Sequence, residues 1–121
     1  MLLILGIFNY LKTNTMKKLL LVLLFIPLVS FGQELFKAVL AQKAKDYMLM
    51  GSERMEVEDY EGAIADYTKA IELVPDYADA YYNRGIEKYN LDDINGACSD
   101  VRKSVNLGYT DSQDFIGQIC D

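Results

Sequence analysis

Cys98 and Cys120 are the side chains best placed to form a covalent bond within this chain. In a helical hairpin that turns near Tyr109, Cys98 lies 11 residues before the turn and Cys120 lies 11 after it. An antiparallel hairpin therefore sets them side by side. An even cysteine count behind an export signal reads as a disulfide. The other reading is two buried free thiols that pack as small hydrophobes. A disulfide closing such a loop contributes roughly 3 kcal/mol in the chain-entropy account. Other chemistry has little to work with. The chain has no histidine, which removes the commonest general base and metal ligand. Its serines and cysteines thus lack the partner that a nucleophilic triad requires. Asp92-Asp93-Ile94-Asn95-Gly96 has the look of a calcium loop, but an EF-hand places its first Asp five residues before the Gly, where Leu91 stands. The acidic runs Glu56–Glu61 and Asp92–Asp93 read as solvated turns and helix N-caps. No catalytic residue, metal site or cofactor is expected, and the chain does not read as an enzyme.

The segments that must position these residues begin after a leader. From Met16 the chain reads MKKLLLVLLFIPLVSFGQ. Lys17 and Lys18 precede an apolar stretch from Leu19 to Val29, and Ser30 and Gly32 are the small residues before a cut at Gln33. This is the three-part pattern of a secretory signal peptide, assigned to residues 16–32. The alternative is a short uncleaved anchor. Pro27 suits a helix break near the cleavage point. Residues 1–15 read as an extension ahead of the true start at Met16, with a bipartite leader as the other possibility. Cleavage leaves Gln33 to Asp121, with 9 basic and 18 acidic residues. A net charge of −9 disfavours nucleic acid, which needs a basic face. It also disfavours anionic lipid. The mature chain is expected not to insert in a membrane, and to be periplasmic or secreted.

Within that part, Ala44–Tyr77 aligns without gaps on Ala78–Asp111 at an offset of 34 residues, with ten identical positions. They are Ala44/Ala78, Tyr47/Tyr81, Gly51/Gly85, Glu53/Glu87, Asp59/Asp93, Gly62/Gly96, Ala63/Ala97, Asp66/Asp100, Lys69/Lys103 and Leu73/Leu107. A fixed period of this length signals stacked supersecondary units. Each unit holds two amphipathic helices by apolar spacing. In the first unit these run from Ala44 to Val57 and from Tyr60 to Leu73, the latter capped by Asp59 and closed by Pro75. In the second they run from Ala78 to Asn90, capped by Asp76, and from Ile94 to Leu107, capped by Asp93. Ile94, Ala97, Cys98, Val101 and Val105 make the buried stripe of the latter. Gly108 suits the residue after a helix end. Thr110 to Gln113 reads as a capping box that opens a last helix, about Asp111 to Cys120. Residues 33–43 are helix formers that either extend the first helix or lie against it. No segment reads as a strand, so the fold class is all-α: two helical hairpins (44–77 and 78–109) and a C-terminal capping helix (110–121).

These residues resemble the tetratricopeptide repeat (TPR) family. Its pattern has an aromatic at position 4, a small residue at 8, Ala at 20, an aromatic at 24, Ala at 27 and Pro at 32. Tyr47, Gly51, Ala63, Tyr67, Ala70 and Pro75 stand at those places in the first repeat. Tyr81, Gly85, Ala97, Val101 and Ser104 follow in the second, where Val101 replaces the second aromatic and Tyr109 replaces the proline. Both departures suit a last repeat that faces a cap. The leader's ending, Ser30-Phe31-Gly32-Gln33, resembles exported proteins of the Bacteroidota group. The family resemblance implies an α-α superhelix that binds another protein or peptide in a groove lined by the first helix of each repeat. Carried over, the groove positions are Lys45, Met48, Leu49, Ser52, Met55 and Glu56 in the first repeat. In the second they are Asp79, Tyr82, Asn83, Ile86, Tyr89 and Asn90. The chaperone-carboxylate clamp of the family is rejected: Asn83 fits it, but Met48 and Ser52 stand where it needs Lys and Asn. The function expected is protein–protein interaction, with an accessory role in an envelope complex. The alternative is self-association through the same repeat surface, because about three repeats are usually needed for independent stability.

Overall fold

The computed structural model describes residues 3–6 and 14–120 of the 121-residue chain. Residues 3–6 make one helical turn. Five helices follow: α1 (Asn14–Glu56), α2 (Tyr60–Leu73), α3 (Ala78–Asn90), α4 (Ile94–Asn106) and α5 (Gln113–Ile119), the last entered through a 3-10 turn at Thr110–Ser112. The architecture is all-α, with no strand among the described residues. The chain divides into two units, Met1–Ala38 and Val39–Asp121, and their boundary falls inside α1. In the first unit the apolar side chains from Leu19 to Phe31 are exposed. Pro27 lies within the helix and does not end it, although a break was expected there. Residues 33–43 continue the helix, the first of the two arrangements open to them.

In the second unit, the turns of both hairpins are built alike. After α1, the Asp59 amide donates to the Arg54 carbonyl and the Glu58 amide to that of Met55. After α3, Asp93 donates to Lys88 and Asp92 to Tyr89. This paired bonding is the Schellman closure of a helix end, and it needs a left-handed residue. Glu58 (φ 59°) and Asp92 (φ 61°) supply that conformation, although a side chain there costs about 1–2 kcal/mol. α4 ends in the same way, with Gly108 (φ 99°) in the left-handed place at no such cost. The carboxylates of Asp59 and Asp93 then cap the next helices. They accept from the Gly62 and Gly96 amides at 3.1 and 3.0 Å.

Two of the expected caps are absent. Tyr77, not Asp76, is the N-cap of α3, and no side chain bonds there. The Tyr77 amide bonds the Val74 carbonyl at 3.1 Å, forming a turn with Pro75 in its favoured second place. Asp76 is thereby held one residue short of the cap. The capping box at Thr110 also fails to form. The chain winds tightly from Thr110, Tyr109 takes the cap position with no side chain capping the turn, and α5 starts at Gln113. Ile94 leaves the expected stripe of α4 and is 41% exposed, because it sits at the first helical position beside the open turn.

The core has two parts. Ala44, Ala70, Ile71 and Ala80 are buried together beneath Tyr47, Met48, Leu73, Val74, Tyr77 and Tyr81. Ala97, Val101 and Ile119 are buried beneath Tyr82, Phe115, Ile116 and Cys120. A disulfide joins Cys98 to Cys120, with their Cα atoms 5.3 Å apart. It links α4 to the end of α5 across 22 residues of chain.

Helix approach within each hairpin is set at repeat positions 8 and 24. A Cβ on Gly51 would stand 2.5 Å from Cε1 of Tyr67. One on Gly85 would meet Val101 Cγ2 at 2.8 Å and the Ala97 carbonyl oxygen at 3.2 Å. The fixed carbonyl makes the second site the less forgiving, since backbone cannot swing aside as a ring can. Gly85→Ala is therefore expected to destabilise the fold by about 1–3 kcal/mol. Urea unfolding would measure it, and an unchanged midpoint would refute the close-approach account.

Candidate functional site

The first helix of each repeat supplies the groove positions, and the structure divides them into two groups. Leu49 is 62% exposed, Met55 41% and Tyr89 42%. Lys45 and Asn90 are exposed with them, while Asn83 and Ile86 are half-buried. The other group is engaged in packing. Met48 lies against the first part of the core. Ser52 donates to the Met48 carbonyl at 3.0 Å and stands 3.4 Å from the Tyr67 hydroxyl. Tyr82 stacks against Tyr109 with ring centres 4.8 Å apart. Phe115 of α5 meets Tyr82 edge-on at 6.3 Å and Tyr89 at 5.6 Å. The cap helix thus covers part of the face that the sequence assigned to a partner.

Beneath this face lies a set of ion pairs that the motif reading passed over. Asp66 and Asp100 occupy repeat position 23, and both are buried. Arg54 Nε reaches Asp66 Oδ2 at 2.7 Å. Lys88, the repeat counterpart of Arg54, reaches Asp100 Oδ2 at 2.8 Å. Arg84 adds a two-pronged pair, with Nε and Nη2 each 2.7 Å from an Asp100 oxygen. Its Nη1 also donates to Thr68 Oγ1 at 3.2 Å, tying the second hairpin to the first. Lys69 lies 5.2 Å from the Tyr47 ring centre, and Lys103 lies 6.0 Å from that of Tyr81. Part of this signal was present in the repeat: Tyr47/Tyr81, Asp66/Asp100 and Lys69/Lys103 are three of its ten identities, whereas Arg84 and Thr68 are not repeated. Of these, the Arg84–Asp100 pair is the most enclosed, and removing Arg84 would strand the buried Asp100 carboxylate.

The electrostatics at the turns follow from these contacts. Hydrogen bonding to Asp59 and then Asp66 raises the Arg54 pKa. Arg54 and the Gly62 amide hold the Asp59 carboxyl below its ordinary value. Asp100 does for Arg84 what Asp59 does for Arg54.

Glu87 is different in kind. It is 1% exposed, and its Oε2 accepts from Asn90 Nδ2 at 3.0 Å. Its Oε1 is a buried acceptor with no hydrogen-bond partner. Burial pushes its pKa up, against the opposing bond from Asn90. Its repeat counterpart, Glu53, is exposed. Among the described residues, no group of three His, Cys, Asp or Glu side chains is arranged to hold a metal ion.

A protein-family model described as TPR repeat matches residues 51–91, from within α1 to the end of α3. With the all-helical hairpin architecture, this supports the tetratricopeptide repeat family. Repeats of this family are protein-interaction modules and typically non-catalytic. Comparison with curated proteins found no match.

The buried carboxyl gives a signed pH dependence. A raised folded-state pKa means that the native chain holds the Glu87 proton more tightly than the unfolded chain does. Stability from this group is therefore full at and below the ordinary glutamate range, and it is lost as pH rises through the raised value. Glu87→Gln is expected to raise the melting temperature at pH 7, with the gain shrinking toward pH 4. Thermal melts of both proteins across that range would check this. A variant less stable at pH 7 would show that the buried charge is compensated.

Proposed function

We propose that this chain is an exported interaction module of a bacterial envelope, of the Bacteroidota type its leader resembles, and that it serves as an accessory subunit of a larger complex. The observation that carries the reading is the exposure of Leu49, Met55 and Tyr89 on the first helices of the two hairpins. The repeated residues, by contrast, are largely spent on caps, close contacts and ion pairs. Exposed methionine and tyrosine suit adaptable protein contacts. The negative field of the mature chain selects against acidic partners.

Export rests on two further features. α1 contains a stretch long and apolar enough to cross a membrane, and a signal sequence passes the same test. The Cys98–Cys120 bond fits an extracytoplasmic compartment.

A second reading is self-association, favoured by α1. Asp46, Met50, Glu53 and Val57 are exposed on it. Their counterparts on α3 include Ala80 and Glu87, which are buried. α1 therefore leaves open a stacking face that α3 uses.

Two measurements address these readings. Mass spectrometry of the protein from its own cells is expected to find Gln33 as the first residue. Retention of residues 16–32 would overturn cleavage. A photoreactive residue at position 49 or 89 of the chain, in its native envelope, is expected to capture one discrete protein. The same residue at exposed Glu72 on α2 should not. Equal capture from all three positions, or none, would sink the groove assignment. Capture of a second copy of the chain would support the self-association reading instead.

A further inference from the structure

Helix α5 is seven residues long, too short to hold helical form by itself. Its seat consists of few contacts. Ile119 is buried with Ala97 and Val101, with Phe115 and Ile116 half-buried beside them. Gln113, Asp114, Gly117 and Gln118 are exposed. Arg102 Nη2 makes a long bond of 3.5 Å to the Cys120 carbonyl. The covalent fastening is the Cys98–Cys120 bond, at the far end of the helix from its connection to α4. A segment with so little buried area opens at low cost once its tether is removed.

The bond is also open to a reagent. Both cysteines are half-buried. Cys98 lines a shallow depression of about 450 Å³ together with Asn95, Ser99, Arg102, Lys103 and Asn106. Two cations in one depression favour departure of the Cys98 sulfur as thiolate.

We propose that the Cys98–Cys120 disulfide is a latch, opened by a dithiol reductant, that keeps α5 seated over Tyr82 and Tyr89. A thiolate of the dithiol attacks one cysteine sulfur. The S–S bond breaks, and the other sulfur leaves with the electron pair and takes up a proton. The second thiol of the reductant then displaces the bound cysteine and closes the reductant's own disulfide. Two electrons pass to the protein, which ends with two thiols and a free α5. Release uncovers the half-buried Tyr82 ring and the edge of the already exposed Tyr89 ring that Phe115 now meets. The latch does not depend on which partner the groove takes.

Amide exchange of the full-length chain in mild detergent, with and without dithiothreitol, tests the proposal. Alkylation of both cysteines would verify reduction. Exchange across residues 113–119 is expected to rise about tenfold or more, nitration of Tyr82 and Tyr89 should increase, and α2 and α3 should keep their protection. Cys98→Ser combined with Cys120→Ser should show the reduced pattern without reductant. Unchanged protection of α5 in the verified reduced protein would overturn the latch. So would loss of protection throughout α2, α3 and α4, because the bond would then support the whole fold.

Discussion

In each hairpin, one glycine on the first helix faces the largest or most rigid group on the second, and the separation of the helices follows from that meeting. Gly51 lies under the Tyr67 ring, and Gly85 lies against Val101 and the Ala97 carbonyl. With the backbones this near, the remaining contacts have little freedom. Ala63, Ala97, Ala70 and Ser104 must stay small, and each is fully buried. The carboxylates of Asp66 and Asp100 then arrive within reach of bases on the opposite helix. The dense packing of the interior makes these conditions mutually dependent.

The same constraint separates scaffold from surface. A repeated side chain usually has a repeated partner: Asp59 and Asp93 cap in the same way, and Tyr47 and Tyr81 each lie near a lysine one helix on. Glu53 and Glu87 break the rule. Glu53 is exposed on α1, whereas α3 is flanked by other elements and its Glu87 is enclosed. One residue type thus has two environments because one repeat has an inner neighbour and the other does not. Arg84 has a similar origin. Its repeat counterpart is Met50, which is exposed, while Arg84 bonds both Asp100 and Thr68.

Much of the fold was legible because it is local. The apolar spacing of Tyr60–Leu73 and Ala78–Asn90 and the caps at Asp59 and Asp93 depend on residues within a few positions of one another. The caps misjudged at Asp76 and Thr110 depended on competition. A proline turn claimed one, and a tight 3-10 winding claimed the other. Pro27 was misjudged because proline removes only one helical bond, and α1 continues past it. The candidate groove was half legible. Periodicity puts Tyr82 and Tyr89 on the right helix, but it carries no sign that Phe115, more than twenty residues further on, meets both. The paired cysteines joining α4 to α5 were the one long-range clue, and they pointed to that contact indirectly.

The Schellman turns of the two hairpins have a kinetic consequence. Each closes within six residues and reverses the chain at once, so α3 meets α4 across a short connection, and α5 then folds back on α4. Contacts this local carry little loop-closure entropy and belong to the fast-folding regime. The first hairpin can form before the residues of the second are available, and the second can dock on a surface already made. A chain that emerges N-terminus first would therefore complete its helical stack before its last cysteine arrives. Cys120 would then reach Cys98 from a short tail beside a finished α4, and oxidation would be the step that fixes α5 in its seat.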